Sequence, residues 1–326
     1  MQPVLVSGAA GFIGYRFVEQ CRLEGIPVVS VDAREHFVDR AEHRDLDTGA
    51  IVDRHELFKW LSAGERRLSG IVHLGACTDT TETDEALFAR DNVEYSQRLW
   101  TYAAQQRLPF VYASSAATYG DGTLGYDDDE ALISRLAPLN AYGRSKQTFD
   151  LWVLQQKTAP PAWSGWKFFN VYGYGERHKG HMASVVLHAF DQRRAGGAIK
   201  LFRSHRAGIA DGHQARDFIN VTDVVSVLMF ALKRPVASGI RNLGTGTART
   251  YLDLARGVCR SLGVSEKIEF IDTPIAIRDK YQYFTQARVE RLRAEGYREP
   301  FTTLEAGIDA YVRALLDEAV RDRLPV

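Results

Sequence analysis

Tyr142 and Lys146 stand four residues apart in Tyr142-Gly143-Arg144-Ser145-Lys146, a spacing that puts two side chains on one face of a helix. A free phenol has a pKa of about 10 and is a poor base near neutrality. An ammonium held beside it favours the phenolate. Such a pair would remove a proton from an alcohol or sugar hydroxyl while a hydride leaves the carbon that bears it. The same spacing also arises as an ordinary helix-surface contact. The pair therefore takes its meaning from what surrounds it.

The N-terminal pattern is strand, glycine loop, helix. Pro3 to Ser7 is short and apolar, and Gly8-Ala9-Ala10-Gly11-Phe12-Ile13-Gly14 follows. An amphipathic stretch runs from about Tyr15 to Leu23, with Gly25 as its stop. A second strand, Val28 to Val31, ends at Asp32, 18 residues after Gly14. Each piece has a use in binding a dinucleotide. Gly8 permits a tight turn, Gly11 lets backbone approach a pyrophosphate, and Gly14 allows close helix–strand packing. The helix start, with Phe12 and Ile13, supplies N–H groups and the positive end of a dipole. Asp32 sits where a carboxylate binds adenosine ribose hydroxyls. Asp32 favours NAD by repelling a 2′-phosphate. Arg34, just past Ala33, could instead pair with that phosphate or be a solvated surface arginine. His36 and Arg40 add positive potential.

Further strand-like runs, Gly70 to His73 and Phe110 to Ala113, alternate with helical stretches such as Glu85 to Gln105. That alternation predicts an α/β fold with a Rossmann-type doubly wound parallel sheet; a smaller α/β lobe is expected beyond it. Ligands collect at the carboxyl ends of the strands in such sheets. Leu74-Gly75-Ala76-Cys77 lies at one such end and Ser114-Ser115 at another, with Asn92 in the helix between.

Composition narrows the classes. The chain has 326 residues, 45% hydrophobic and 25% charged, with 41 basic and 41 acidic residues. The formal net charge of zero argues against a broad nucleic-acid-binding surface. No apolar run approaches the roughly 20 residues that span a membrane, and with the N-terminus running straight into an apolar strand no signal peptide is expected. A cytoplasmic location with no membrane partner is the expectation. Cys21, Cys77 and Cys259 are too scattered for a metal cluster or a disulfide framework, and buried reduced thiols are expected. No metal is expected, because His178 and His181 lack a cysteine or carboxylate trio. Asp127-Asp128-Asp129-Glu130 reads as a solvated surface run.

Three features coincide: the Gly8-x-x-Gly11-x-x-Gly14 loop, Ser114-Ser115-Ala116-Ala117-Thr118-Tyr119-Gly120, and Tyr142-x-x-x-Lys146. Together they resemble the extended short-chain dehydrogenase/reductase family of nucleotide-sugar epimerases and dehydratases. The resemblance implies that Tyr142 is the catalytic acid/base, that Lys146 holds the nicotinamide ribose and tunes the tyrosine, and that Ser115 hydrogen-bonds the reacting oxygen. Strand-end capping is the alternative for Ser115. The second half carries Phe169-Asn170-Val171-Tyr172-Gly173, His178-Lys179-Gly180-His181-Met182-Ala183-Ser184, Lys200-Leu201-Phe202, Arg216-Asp217-Phe218, Asn242-Leu243-Gly244-Thr245-Gly246 and Tyr281-Gln282-Tyr283-Phe284-Thr285-Gln286-Ala287. In this order they resemble the branch of the family that inverts C6 of an ADP-linked heptose for lipopolysaccharide biosynthesis.

That resemblance implies Lys179 as a second acid/base and Val171 as a further cofactor contact. It implies a substrate site of Ser115, Asn170, Lys179, His181, His188, Phe202, Arg203, Ser204, His205, Arg216 and Tyr281, taking an ADP-sugar. Arg216 suits a diphosphate clamp, or alternatively a buried pair with Asp217. It also implies NADP, with NAD possible, and a homo-oligomer. Residues 1–169, joined by about 216–240, would bind the dinucleotide. Residues 170–215 and 241–326 would mostly form the substrate lobe. A 4-epimerase or reductase is the nearest enzymatic alternative. Dehydratases commonly carry Thr-Asp-Glu where this chain has Ser115-Ala116-Ala117, so dehydration is disfavoured. A non-catalytic dinucleotide sensor would typically lose the tyrosine or the lysine.

Overall fold

The computed structural model describes residues 1–40, 46–64, 66–234, 236–278 and 281–321. The chain divides into two compact units. One comprises Met1–Phe168, Val224–Leu243 and Val289–Arg298, and the other Phe169–Asp223, Gly244–Arg288 and Glu299–Val326.

The first unit is built on seven parallel strands. In chain order these are β1 (Val4–Ser7), β2 (Val28–Asp32), β3 (Ala50–Asp53), β4 (Gly70–His73), β5 (Phe110–Ser115), β6 (Trp163–Phe168) and, after an excursion, β10 (Gly239–Leu243). The spatial order is β10-β6-β5-β4-β1-β2-β3, with every pairing parallel. Parallel strands need crossover connections, and the helices of those crossovers cover both faces. Strands β1, β4, β5 and β10 are accordingly buried along their whole length. Leu5, Val31, Ile71, Leu99, Trp100, Phe110, Phe149 and Ile240 make the core. The strand order reverses direction at the β1–β4 boundary, the switch point where such sheets bind ligands.

Two departures from the sequence reading bear on the site. The stretch Glu85 to Gln105 is not one regular helix: a π-helical segment, Ala89–Glu94, separates helices Glu85–Phe88 and Tyr95–Gln105. The extra residue per turn sets Asn92, which is buried, inside that segment. The acidic run is not simply solvated either. Asp128 is 4% exposed, its carboxylate accepts the Asn242 N–H at 3.0 Å, and Glu130 Oε1 accepts the Ile240 N–H at 2.7 Å. Strand β10 is a sheet edge, and these carboxylates satisfy amide groups on its open side.

The second unit holds two small sheets. Strand β9 (Ala215–Asn220) lies between β7 (Asn170–Tyr172), to which it is parallel, and β11 (Ala248–Thr250), to which it is antiparallel. Strands β8 (Ile199–Phe202) and β12 (Ile268–Ile271) pair in parallel. Helices Val185–Arg194, Tyr251–Leu262 and Leu304–Arg321 supply its core with Val186, Phe190, Leu254, Val258, Ile308 and Val312. No described helix is long and apolar enough to cross a membrane. The three cysteines are free thiols; Cys21 and Cys259 are buried as expected, whereas Cys77 is only half-buried.

Candidate active site

Loops from β1 and β4 meet at the switch point. Gly8 adopts φ +72°, and a Cβ there would lie 2.5 Å from the Gly75 nitrogen. A Cβ on Gly14 would lie 1.9 Å from the Gly8 carbonyl oxygen. Around Gly11 only the Gly8 oxygen, at 3.1 Å, would come near such a carbon. The loop is thus closed against the protein at Gly8 and Gly14 and more open at Gly11. Helix Phe12–Leu23 starts there with no acidic residue in its first turn, so its N–H groups and dipole face an uncompensated end. These features fit a dinucleotide's pyrophosphate.

Asp32 ends β2 with its carboxylate already engaged. It accepts the Ala10 N–H at 3.1 Å and the Ala33 N–H at 2.9 Å, and lies 2.9 Å from His36 Nδ1. Arg34 is exposed, and its backbone N–H bonds Asp53. The Arg40 guanidinium donates to the Ala10 carbonyl, which brings a cation onto the glycine loop.

A polar chain ties the switch point to the Tyr142 helix. Ser7 Oγ is 2.5 Å from His73 Nδ1, and His73 Nε2 is 2.7 Å from Ser96 Oγ. Ser96 donates to the Asn92 carbonyl at 2.6 Å. Asn92 grips the Cys77 backbone at both its N–H and its carbonyl, and donates to Ser145 Oγ at 3.0 Å. Ser145 donates to the Tyr142 carbonyl at 2.7 Å. Burial holds His73 neutral, with its pKa pushed down to about 3. Leu74, Gly75 and Ala76 lie on the loop between His73 and Cys77. The Leu74 N–H bonds the Ser7 carbonyl.

Helix Ala141–Leu154 carries the tyrosine and the lysine. Asn140 caps it by accepting the Gly143 N–H at 2.7 Å. Lys146 is 6% exposed, and its Nζ donates to the Ala113 carbonyl at 2.9 Å. It lies 6.0 Å from the Tyr142 ring centroid. Burial raises the Tyr142 phenol above its ordinary value, and the hydrogen bond with the Ser115 hydroxyl works against that rise. The Ser115 hydroxyl is thus one group beside the phenol that favours its ionised form. Burial lowers the Lys146 ammonium to about 8, opposed by the charge of Asp150. Ser115 also accepts the Ala117 N–H at 3.1 Å, capping the turn Ala116–Tyr119. Capping and contact with the reacting oxygen are therefore compatible roles.

In the second unit, Lys179 sits in the short helical turn Arg177–Met182, where Gly180 takes φ 54°. Its Nζ is 3.8 Å from the buried carboxylate of Glu176. Burial lowers the Lys179 ammonium while Glu176 raises it. His181 is exposed on the same turn, and His188 Nε2 reaches its carbonyl at 3.4 Å. Asn170 and Val171 pair with Phe218 and Ile219 on β9.

Arg216 points between the rings of Tyr251 and Tyr281, at 5.7 and 5.2 Å, and donates to the carbonyls of Ala215 and Gln282. Phe202 packs edge-on against Tyr281 at 6.0 Å. Asp217, one residue on, projects to the other face of the strand. There it accepts N–H bonds from Thr245, Gly246 and Ala287. Arg216 and Asp217 thus have separate partners. Arg203 lies 3.7 Å from both Asp211 and Asp272, Ser204 N–H bonds Asp211, and His205 N–H bonds the Tyr283 hydroxyl.

The sequence reading passed over Glu176, Asp150, Lys167, Tyr251 and His73. A signal existed for Asp150, which follows Lys146 by four residues on the same helical face. Another existed for Glu176, three residues before Lys179; for Lys167, Tyr251 and His73 the partners lie farther along the chain.

Residues 4–244 match the model of the NAD dependent epimerase/dehydratase family. A protein of Fusobacterium nucleatum subsp. nucleatum named ADP-L-glycero-D-manno-heptose-6-epimerase is 40% identical over 324 residues, covering 96% of this chain and 98% of that protein. The solved ADP-L-glycero-D-manno-heptose-6-epimerase of Helicobacter pylori is similar at TM-score 0.79 and 26% identity, over 97% of this chain and 96% of that one. MoeE5, solved in complex with UDP-glucose and NAD, is similar at TM-score 0.75 and 26% identity, over 97% of this chain and 99% of that one.

Proposed function

Since the chain belongs to the NAD dependent epimerase/dehydratase family, we propose that it converts ADP-D-glycero-D-manno-heptose into ADP-L-glycero-D-manno-heptose by inverting C6 of the sugar. The observation that carries this reading is the 40% identity to a relative of that name across 96% of the chain.

The C6 hydrogen is not acidic, so direct deprotonation cannot invert the centre. A nicotinamide dinucleotide with its pyrophosphate on the glycine loop would supply a reversible hydride acceptor. Tyr142 and Ser115 address the C6 oxygen: the phenol exchanges a proton with it, and the serine hydroxyl donates to it as charge develops. The resulting carbonyl is planar and exocyclic. Rotation about C5–C6 presents its other face, and its oxygen then points elsewhere. Lys179 serves the oxygen in that second orientation. One residue takes the hydroxyl proton as hydride leaves C6, and the other gives a proton to the oxygen as the same hydride returns to the opposite face; the sugar is balanced in protons and electrons, and proton exchange with water resets the two residues for the next turnover. Arg216, between two tyrosine rings, is the diphosphate clamp.

Arg34, exposed beside Asp32, and Arg40 on the loop support NADP as the native cofactor. The family likeness carries an expectation of a homo-oligomer, which sedimentation measures. The deciding experiment is mass spectrometry of the cofactor released from purified protein, followed by NMR of ADP-D-glycero-D-manno-heptose incubated with it. An unchanged sugar would overturn the reading.

A further inference from the structure

Beneath the turn that presents Ser115 lies a pair of charges that the chemistry above does not use. Asp150 and Lys167 are 0% and 1% exposed, with Oδ2 and Nζ 2.7 Å apart. Their further bonds lead to the backbone and neighbours of site residues. Lys167 Nζ donates to Thr118 Oγ1 at 2.8 Å, and Thr118 Oγ1 donates to the Ser115 carbonyl at 2.8 Å. Asp150 accepts from Ser114 Oγ at 2.7 Å and from the Tyr112 hydroxyl at 3.0 Å. It also lies one helical turn after Lys146 on the buried face of their helix.

Stability alone does not account for such a pair. Removing two charges from water is costly, and a well-packed neutral pair of similar volume is often as stable. What an ion pair with satisfied hydrogen bonds adds is one fixed arrangement of the groups around it. We propose that the buried Asp150–Lys167 pair is a positioning device: Lys167 sets the Thr118–Ser115 turn, and Asp150, fixed by Lys167, Ser114 and Tyr112, presents its carboxylate to Lys146 one helical turn away. The proposal rests on the assignment of Ser115, Tyr142 and Lys146 given above.

The charge environment of Lys146 agrees with this. Asp150 faces it from its own helix, with Lys167 of β6 bonded behind that carboxylate, Cys77 from the loop after β4, His73 from the end of β4, and Tyr142 from the preceding helical turn. Among these, Asp150 is the principal group opposing the burial that lowers the ammonium.

The test is a double variant, Asp150→Asn with Lys167→Met. It removes both charges while the amide still offers partners to Tyr112 and Ser114. Melting temperature, kcat, KM and the Lys146 titration midpoint, by NMR of its Nζ, are measured against wild type. The variant is expected to melt near wild type, with kcat down about 100-fold and KM within about threefold. Its Lys146 midpoint is expected to fall. A folded double variant with wild-type kcat and an unmoved midpoint overturns the proposal. If the double variant does not fold, Thr118→Val isolates the link to Ser115. It is expected to lose about tenfold in kcat, restored by Thr118→Ser, and wild-type kcat in Thr118→Val overturns the proposal. The Lys146 midpoint does not depend on which sugar is turned over. Failure of wild type to convert the heptose therefore overturns the functional reading and leaves this measurement standing.

Discussion

The Glu176 carboxylate is fully buried 3.8 Å from the Lys179 ammonium, and its two oxygens are also fixed by Ser184, at 2.8 Å from the backbone N–H and 2.5 Å from the hydroxyl. Burial and the carboxylate act on Lys179 in opposite directions. Removing the negative charge with Glu176→Gln leaves burial unopposed, so Lys179 gives up its proton at a lower pH than in wild type. The limb of the kcat–pH profile that belongs to Lys179 should shift to lower pH. Superimposable profiles would refute the coupling.

Tyr142→Phe removes the phenolic proton but keeps the ring and the helix. Turnover should fall by at least about 100-fold, the usual contribution of a positioned acid/base, while the nicotinamide remains bound. Lys179→Met should also lose inversion. Wild-type epimerisation by Lys179→Met would remove the second acid/base from the mechanism.

His73 is buried as the neutral ring between Ser7 and Ser96, with its pKa pushed from 6.5 to about 3. Below pH 6.5 the unfolded chain binds a proton that the folded chain refuses until about pH 3. Stability is therefore lost as pH falls through that window. Between pH 7 and pH 5 this one residue should cost about 2 kcal/mol, and His73→Gln should flatten that part of the profile. Urea unfolding at the two pH values measures it, and an equal acid loss in both proteins would contradict it.

Gly14→Ala puts a carbon 1.9 Å from the Gly8 carbonyl oxygen, and backbone cannot swing aside as a side chain can. The glycine loop should distort, destabilising the fold by about 1–3 kcal/mol and releasing the cofactor. Arg34→Ala leaves the loop intact. It should weaken NADP far more than NAD in binding titrations, and equal losses would deny Arg34 a 2′-phosphate role.

Glu130→Ala leaves the Ile240 N–H of edge strand β10 without its 2.7 Å acceptor. The loss should be about 1–3 kcal/mol in chemical denaturation, with kcat unchanged. A variant as stable as wild type would return the acidic run to the solvated surface.

Local pattern carried much of this molecule. The glycine loop, the apolar runs of β1, β2, β4 and β5, and the Tyr142/Lys146 spacing all lie within short windows, where steric rules and helical periodicity act directly. That was enough for a doubly wound sheet and a dinucleotide loop at its switch point. Where the reading strayed, the cause was a partner far along the chain. Asp128 and Glu130 look like solvated charges until β10 arrives more than a hundred residues later with unpaired amides. The π-helical segment at Ala89–Glu94 has no periodic signature; it accompanies Asn92's bonds to Cys77 and Ser145.

The sequence by itself determined the residue types and spacings that make transient oxidation chemically available: a glycine cradle, a serine at a strand end, and a tyrosine and lysine one helical turn apart. Only the tertiary structure decided the charge states of those groups and what holds them. Burial raises Tyr142 and lowers Lys146 and Lys179, and the Ser115 hydroxyl, Asp150 and Glu176 push back. Desolvation depends on every atom packed around a group, so it exists only once distant segments have come together.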